Sequence, residues 1–409
     1  MGFFLKALFI LGLSLAGLRL ASAQPDDSLN KPVSPVNRTW TFLRGEGLGG
    51  SVRLDYFSSS RLLDDETDFI GGMGQVKLLP VLNDRINGKI EARFTNPSIG
   101  KRNQSDLTLL EGYATYHLGQ ADLRIGKQIV AWGRADGINP TDNLTPHDFV
   151  VLLPFEEDQR FGTAGLKLDS YLTADHTLTL FMTPFFEPSK IPLGDTGGMV
   201  FTEDRPAPSL SNTEAGLKLN KTGESLDWSV SYFHGFDLLP DARVAGVVPA
   251  GMVLELRHTM IDVFGADMAC NFGKYGFRAE GAYFLTADRN GEDPVIKNPF
   301  LFYVLGVDRT FMDNLNVNLQ FVGRWVQNYN DPGNIPDPVL RGVAVQNAIL
   351  DTQQDPTSYG MTSRVGDKWF NDTLEAEILI FFNFNRTNSY IRPLATYSFS
   401  DQIKGTLGG

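Results

Sequence analysis

Asn314-Leu315-Asn316-Val317-Asn318-Leu319-Gln320-Phe321 alternates polar and apolar side chains without a break. Successive side chains of an extended strand point to opposite faces, so Leu315, Val317, Leu319 and Phe321 share one face and the amides share the other. The same period of two recurs at residues 86–94, 177–182, 227–232, 374–384 and 390–399. A soluble sandwich alternates as well, so three further features decide. The runs approach about ten residues, the length a tilted strand needs to cross a bilayer, whereas ordinary strands peak nearer five or six. The polar face carries full charges at mid-run, among them Lys89, Glu91, Arg278, Glu280, Arg324, Glu375 and Glu377, which a dry core between two sheets would not hold unpaired. Tight polar turns at Asn83-Asp84, Gly119-Gln120, Ala174-Asp175, Gly223-Glu224, Gly273-Lys274 and Asp313-Asn314 are interleaved with long connections. Short turns at one end and long loops at the other are the pattern of an outer-membrane barrel. Tyr56, Tyr116, Trp228, Tyr232, Trp325 and Tyr397 fall toward the ends of runs on the apolar side, where an interfacial belt needs them.

The fold class expected is therefore all-β: a transmembrane antiparallel up-and-down β-barrel of 16 to 18 strands. Sixteen complete runs follow Gly49, and a seventeenth begins near Lys404. A closed barrel of this kind has an even strand number. Eighteen strands with most of the last hairpin missing from this sequence is the preferred count, and a complete barrel of sixteen with a short tail is the alternative.

Composition agrees. Of 409 residues 42% are hydrophobic and 11% aromatic, too apolar for a disordered polymer. With 48 acidic against 36 basic residues and a net charge of −12, binding nucleic acid by blanketing phosphates is excluded. One Cys excludes an internal disulfide, a thiolate zinc cluster and Cys-x-x-Cys-His haem attachment, and five scattered His leave little for a metal cage. No cofactor is expected. Residues 1–23 carry Lys6, an apolar run over 7–16 and the small triplet Ala21-Ser22-Ala23, the layout of a Sec-type export signal cleaved near Ala23. Residues 24–45 then form a periplasmic N-terminal segment and 46–409 the barrel. With so short a lead-in no plug domain is expected before the barrel, so energy-coupled uptake is not the expectation.

The segment Leu123-Arg124-Ile125-Gly126-Lys127-Gln128, running into Trp132-Gly133-Arg134 and Asn139-Pro140-Thr141-Asp142, resembles a motif of large porin-like barrels from Gram-negative bacteria. Trp369-Phe370-Asn371-Asp372-Thr373-Leu374 and Tyr390-Ile391-Arg392-Pro393 are similar to the penultimate strands of that family. The family is mostly uncharacterised and distantly similar to the eighteen-strand alginate-export porins. The resemblance implies an outer-membrane channel. It departs from the alginate exporters in that the inward faces here mix signs, Arg53, Lys89, Arg93 and Lys167 against Asp55, Glu91, Glu111 and Asp169, where the exporters carry a dense basic ring.

Residues 132–159 are the most informative stretch, because a loop this long is functional or disordered and its composition argues against disorder. It is expected to fold inward and narrow the lumen, with Arg134, Asp136, Asp142 and Asp148 facing the passage; an outward lid touching lipopolysaccharide is the competing picture. Thr145-Pro146-His147-Asp148 offers an N-cap and a proline at the first helical position, which predicts a short helix over 149–153. Lys127 breaks the alternation, since Leu123, Ile125 and Ile129 would put it in hydrocarbon; either a bulge at Gly126 turns it inward, the preferred reading, or it lies near an interface and snorkels. Arg124, Lys127 and Arg134 then form a basic ladder suited to carboxylate- or phosphate-bearing solutes. Arg160, Arg278, Glu280 and Arg324 complete the candidate pore residues. A second helix is expected over 339–350, in the loop 327–359.

Enzyme readings fare poorly, because no Gly-x-Ser-x-Gly or triad-like grouping surrounds His117, His147, His176, His234 or His258. The leading expectation is a non-enzymatic diffusion channel for small or oligomeric solutes, oligosaccharides included. Its surroundings would be outer-membrane lipid, lipopolysaccharide and the outer-membrane assembly machinery. The alternative is a non-transport barrel, with a blocked bore, that binds surface polysaccharide or serves assembly.

Overall fold

The alternating stretch at 314–321 lies in an antiparallel ladder in which Asn318 is registered with Asp308 on one side and Arg364 on the other. The computed structural model describes residues 17–18, 47–58, 68–96, 105–150, 156–192, 199–249 and 251–408. In chain order its strands are β1 (Gly17–Leu18), β2 (Leu48–Ser58), β3 (Asp68–Leu78), β4 (Val81–Asn83), β5 (Ile86–Asn96), β6 (Asp106–His117), β7 (Ala121–Gln128), β8 (Thr163–Tyr171), β9 (His176–Thr183), β10 (Met199–Asp204) and β11 (Glu214–Lys221). They continue with β12 (Leu226–Phe236), β13 (Asp241–Val248), β14 (Gly251–Arg257), β15 (Met260–Phe272), β16 (Tyr275–Leu285), β17 (Phe300–Phe311), β18 (Leu315–Val326), β19 (Thr357–Trp369), β20 (Leu374–Asn383), β21 (Asn388–Ser398) and β22 (Ile403–Gly408). Among the described residues one α-helix, α1, spans Pro338–Leu350.

Seventeen of these strands form one wall, each antiparallel to the next along the chain from β2 to β22, with β1, β4, β10, β13 and β14 outside that series. This is an up-and-down meander. β2 and β22 do not pair with each other; each pairs with Gly17–Leu18, which lies within the stretch whose sequence has the layout of an export signal. The rest of residues 1–46 lies outside the described residues, as does the periplasmic segment expected there.

The wall wraps around one of its own connections. The connection from β7 to β8 pairs with Arg53 on β2 through Asp158, with Asp267 on β15 through Arg134, and with Arg364 on β19 through Asp136. A connection of this length reaches such widely spaced strands only if the sheet wraps around it. Its apolar residues Val130, Trp132 and Leu144 join Phe181, Phe233, Ile261, Val263, Phe284, Phe300 and Val326 in one buried cluster, so the dry core lies inside the barrel at the long-loop end. On the other side of the wall, every one of the seventeen strands leaves at least one large apolar side chain exposed, among them Leu54, Ile90, Ile125, Phe264, Leu305 and Ile391. Soluble monomers rarely expose contiguous apolar patches beyond a few hundred Å², so a girdle around the whole wall is a lipid-facing surface.

Connections at residues 118–120, 172–175, 222–225, 273–274, 312–314, 370–373 and 399–402 are short. Those at the opposite end include 129–162, 184–213, 237–259, 286–299 and 327–356. The long loops are knitted together: β10 runs parallel to β14, which pairs with β13, in a separate three-stranded sheet. The helix expected over 339–350 is α1. Asp337 caps it by accepting from the Val339 and Leu340 amides at 2.8 Å each, with Pro338 in the first turn. Asn347 on α1 clamps the backbone of Ala242 in both directions, at 3.0 and 2.8 Å.

The helix expected over 149–153 is not there at its start. Phe149 and Val150 form a bend, and 151–153 lie outside the described residues. The reason is tertiary: His147 bridges Arg160 and Asp148 bridges Lys190 in isolated β-bridges, which take the backbone groups a first helical turn would leave for capping. Thr145, cast as the N-cap, instead accepts the Val130 amide at 3.0 Å.

Candidate functional site

Glu280 on β16 organises the inner loop. Its Oε2 accepts the backbone amides of Arg134 at 2.9 Å and Ala135 at 3.0 Å and the Asn139 side-chain amide at 3.2 Å. Its Oε1 accepts the Thr141 amide at 2.9 Å and the Thr141 hydroxyl at 2.8 Å. Five donors from one loop thus converge on one carboxylate, leaving that carboxylate satisfied although it is buried. The Trp-Gly-Arg and Asn-Pro-Thr-Asp motifs follow from this cradle. Gly133 has φ +100°, and a Cβ there would stand 2.6 Å from both Glu280 oxygens. Trp132 is buried, and Gly216 on β11 makes room for its indole, since a Cβ at 216 would meet the ring at 2.9 Å.

Arg134, Asp136, Asp142 and Asp148 are each tied to a partner. The Arg134 guanidinium contacts Asp267 on β15 and donates to Asn220 Oδ1 at 2.5 Å. Asp136 pairs with Arg364 at 3.3 Å, while its carbonyl accepts from Gln320 at 2.7 Å. Arg160 donates through Nη2 and Nε to Asp142 Oδ2 at 2.9 and 3.3 Å. Asp148 pairs with Lys190 at 3.0 Å. Asp142 and Asp148, expected to face the passage, are instead buried. A carboxylate removed from water needs a cation and amide donors at close range, and the loop–wall seam supplies both. Burial pushes the Asp142 carboxyl up to about 6 against the opposing pull of Arg160. Burial, with the Arg160 charge, pushes the His147 imidazole down to about 4.

Arg124, Lys127 and Arg134 do not form one ladder. Arg124 lies 4.3 Å over the Tyr113 ring, the Lys127 ammonium lies 5.7 Å from the Phe161 ring centre, and Arg134 reaches across to β11 and β15. The bulge expected at Gly126 is absent, since both ladders run through β7 without an extra residue. Gly126 instead takes φ +128°, with a Cβ there only 2.3 Å from the Gly112 carbonyl oxygen. The extra residue is on β6, where the register shifts between Glu91 and Ala92 of β5. Arg278 pairs with Asp308 at 3.1 Å. Arg324 stacks over Phe300 and Phe302 and donates to the Asp351 carbonyl.

Three functional partners escaped the sequence reading: Asp267, Asp158 and Arg364. Asp267 was findable, because it stands at mid-strand between Ala266 and Met268 on the alternation's polar face. Arg364 stands likewise at mid-strand, registered with Asn318 on the polar face, whereas Asp158 carries no comparable local signal. Among the described residues, no group of three or more His, Cys, Asp or Glu side chains could hold a metal ion.

Wall, inner loop and apolar girdle together define a porin-like β-barrel. No protein-family profile matches the chain, and no curated protein does. Among solved structures it is similar to the outer-membrane channel DcaP of Acinetobacter baumannii, at 10% identity and TM-score 0.46, covering 88% of this chain and 98% of that one. It is also similar to OmpF of Salmonella typhi in complex with daunomycin, at 9% identity and TM-score 0.45 over 98% and 96% of the two chains. A third likeness is to OmpT, an outer-membrane protein of Vibrio cholerae, at 11% identity and TM-score 0.42 over 88% and 96%.

Proposed function

We propose that this protein is a diffusion channel of the outer membrane of a Gram-negative bacterium, passing small solutes through a lumen narrowed by the loop 132–159. The observation that carries the reading is the loop's attachment inside the ring at Glu280, Asp267, Arg364 and Arg53. A surface lid would have no reason to spend its charges on the inner wall. Reading 1–23 as a Sec-type signal cleaved near Ala23 fits delivery across the inner membrane, followed by insertion through the outer-membrane assembly machinery. Lipid and lipopolysaccharide would then be its surroundings and a small molecule or oligosaccharide its cargo.

A preference for anions is supported by how the charges are spent. Asp136, Asp142, Asp148 and Asp158 are taken up in ion pairs. Arg124 and Lys127 lie on aromatic rings, with no carboxylate within ion-pair distance among the described residues. Fixed positive charge raises the local concentration of anions. One observation favours the other reading, a non-transport barrel with a blocked bore: the three-stranded loop sheet and α1 bind the long loops to one another at that mouth.

Swelling of proteoliposomes in isosmotic anionic, neutral and cationic solutes of matched size tests both. The channel reading expects swelling in all three, fastest for the anion. Failure to swell even in the smallest solute would overturn it in favour of the blocked barrel.

A further inference from the structure

Between the inner loop and the long loops lies a cavity of about 300 Å³ that none of the ion pairs above explains. Its volume sits at the low end of the range for ligand sites, roughly 300–1,000 Å³. Phe284, Phe300 and Phe302 line one side, and Asp142 and His147 of the inner loop line the other. Two cations, Lys297 and Arg324, also line it beside the carboxylates Asp237 and Asp351, and the cations differ in what they have left to offer. Lys297 is saturated: its ammonium meets Asp351 at 2.8 Å, Asp237 at 3.0 Å, the Leu239 carbonyl at 3.2 Å and Asp241 at 3.8 Å. Arg324 is not. Its guanidinium lies 4.6 Å over Phe300 and 4.7 Å over Phe302 and donates to one acceptor, the Asp351 carbonyl, while its buried Nε has no partner among the described residues. On the opposite wall Asp142 is occupied by Arg160, and the His147 ring stacks on Phe149 at 5.6 Å.

A planar, always-charged donor fork with unspent N–H groups, framed by phenyl faces, suits a carboxylate attached to a flat apolar ring. The carboxylate takes the donors that water or protein does not, and the ring adds to the phenyl stack at offset or edge geometry. We infer that this cavity is a binding subsite for small aromatic carboxylates, with Arg324 as the anion anchor and Phe300 and Phe302 as the ring platform. The inference rests on the channel reading and deepens it, since the cavity is lined by the inner loop and by residues 237–239 and 350–352 of the long loops.

The test is calorimetric titration of the folded protein in detergent with benzoate, and separately with acetate and benzyl alcohol, which keep the charge or the ring alone. Benzoate is expected to bind at least tenfold more tightly than either. Arg324→Gln should weaken benzoate at least tenfold, and Phe302→Leu, which retains the apolar volume, should weaken benzoate severalfold while leaving acetate unchanged. Circular dichroism checks that each variant folds; should R324Q not fold, F302L alone carries the comparison. Acetate binding as tightly as benzoate, absence of benzoate binding, or benzoate affinity unchanged in F302L would each overturn the subsite. Because binding is read without ion flow, these results are independent of proteoliposome swelling: swelling without benzoate binding refutes the subsite alone, and benzoate binding without swelling refutes the channel alone.

Discussion

At the residue scale, Glu280 gathers five donors of the inner loop, beside the loop's ion pairs to Asp267, Arg364 and Arg53. Glu280→Gln leaves two acceptor lone pairs fewer for five loop donors, so channel records from that variant should show open-state noise raised well above wild type. Quiet, wild-type records would mean the loop is held elsewhere. Gly133→Ala attacks the same cradle from the other side: φ +100° disfavours any side chain and the new Cβ would collide with both Glu280 oxygens. The strain is about 1–3 kcal/mol, measurable as a lower urea midpoint in refolding into detergent micelles. Asp142 gives a pH prediction. Its folded pKa, pushed by burial to about 6, lies above the ordinary 3.8, so the folded protein binds the extra proton between those values. Its stability contribution therefore falls as pH rises through that window. Below about pH 6 the neutral Asp142 no longer matches Arg160, and anion selectivity should rise between pH 7.5 and 5. Reversal potentials in a KCl gradient measure it, and Asp142→Asn should hold the acid-pH value throughout; a pH response surviving in D142N would place the titrating group elsewhere.

At the scale of elements, the alternation made the strands legible, and the six turns expected from polar pairs all fall between neighbouring strands of the wall. Period two is a local signal, fixed by each strand having one face in lipid and one on the lumen. What stayed hidden was set by partners distant in the chain. Glu280 stands 139 residues from Thr141, and nothing near either announces the other. The capping pattern at Thr145 was sound as local chemistry, yet lost to the bridges with Arg160 and Lys190. At 126 the sequence rightly marks a glycine with a special backbone but not its form, since a positive φ and a bulge both favour that residue. Gly126→Ala should depress folding yield into lipid strongly, because the Gly112 carbonyl blocks the new Cβ. Near-wild-type yield would show that β6 can shift to make room.

For the whole molecule, one rule of orientation accounts for girdle and wall: charged groups point to the interior, and apolar groups point to lipid except where they pack the inner loop. Leu305 is exposed on β17 and Ile125 on β7. Arginine at either position should cost about 2–4 kcal/mol at bilayer mid-depth, while arginine in place of Gln320 on the inner face should cost far less membrane stability. Equal costs on both faces would contradict the rule.

The most direct measurement is the single-channel conductance of the purified protein in planar bilayers, compared with a variant lacking residues 134–158. Discrete steps are expected from the intact protein and severalfold larger steps once the loop is gone. Silence from both proteins, or identical conductance in the two, would contradict it.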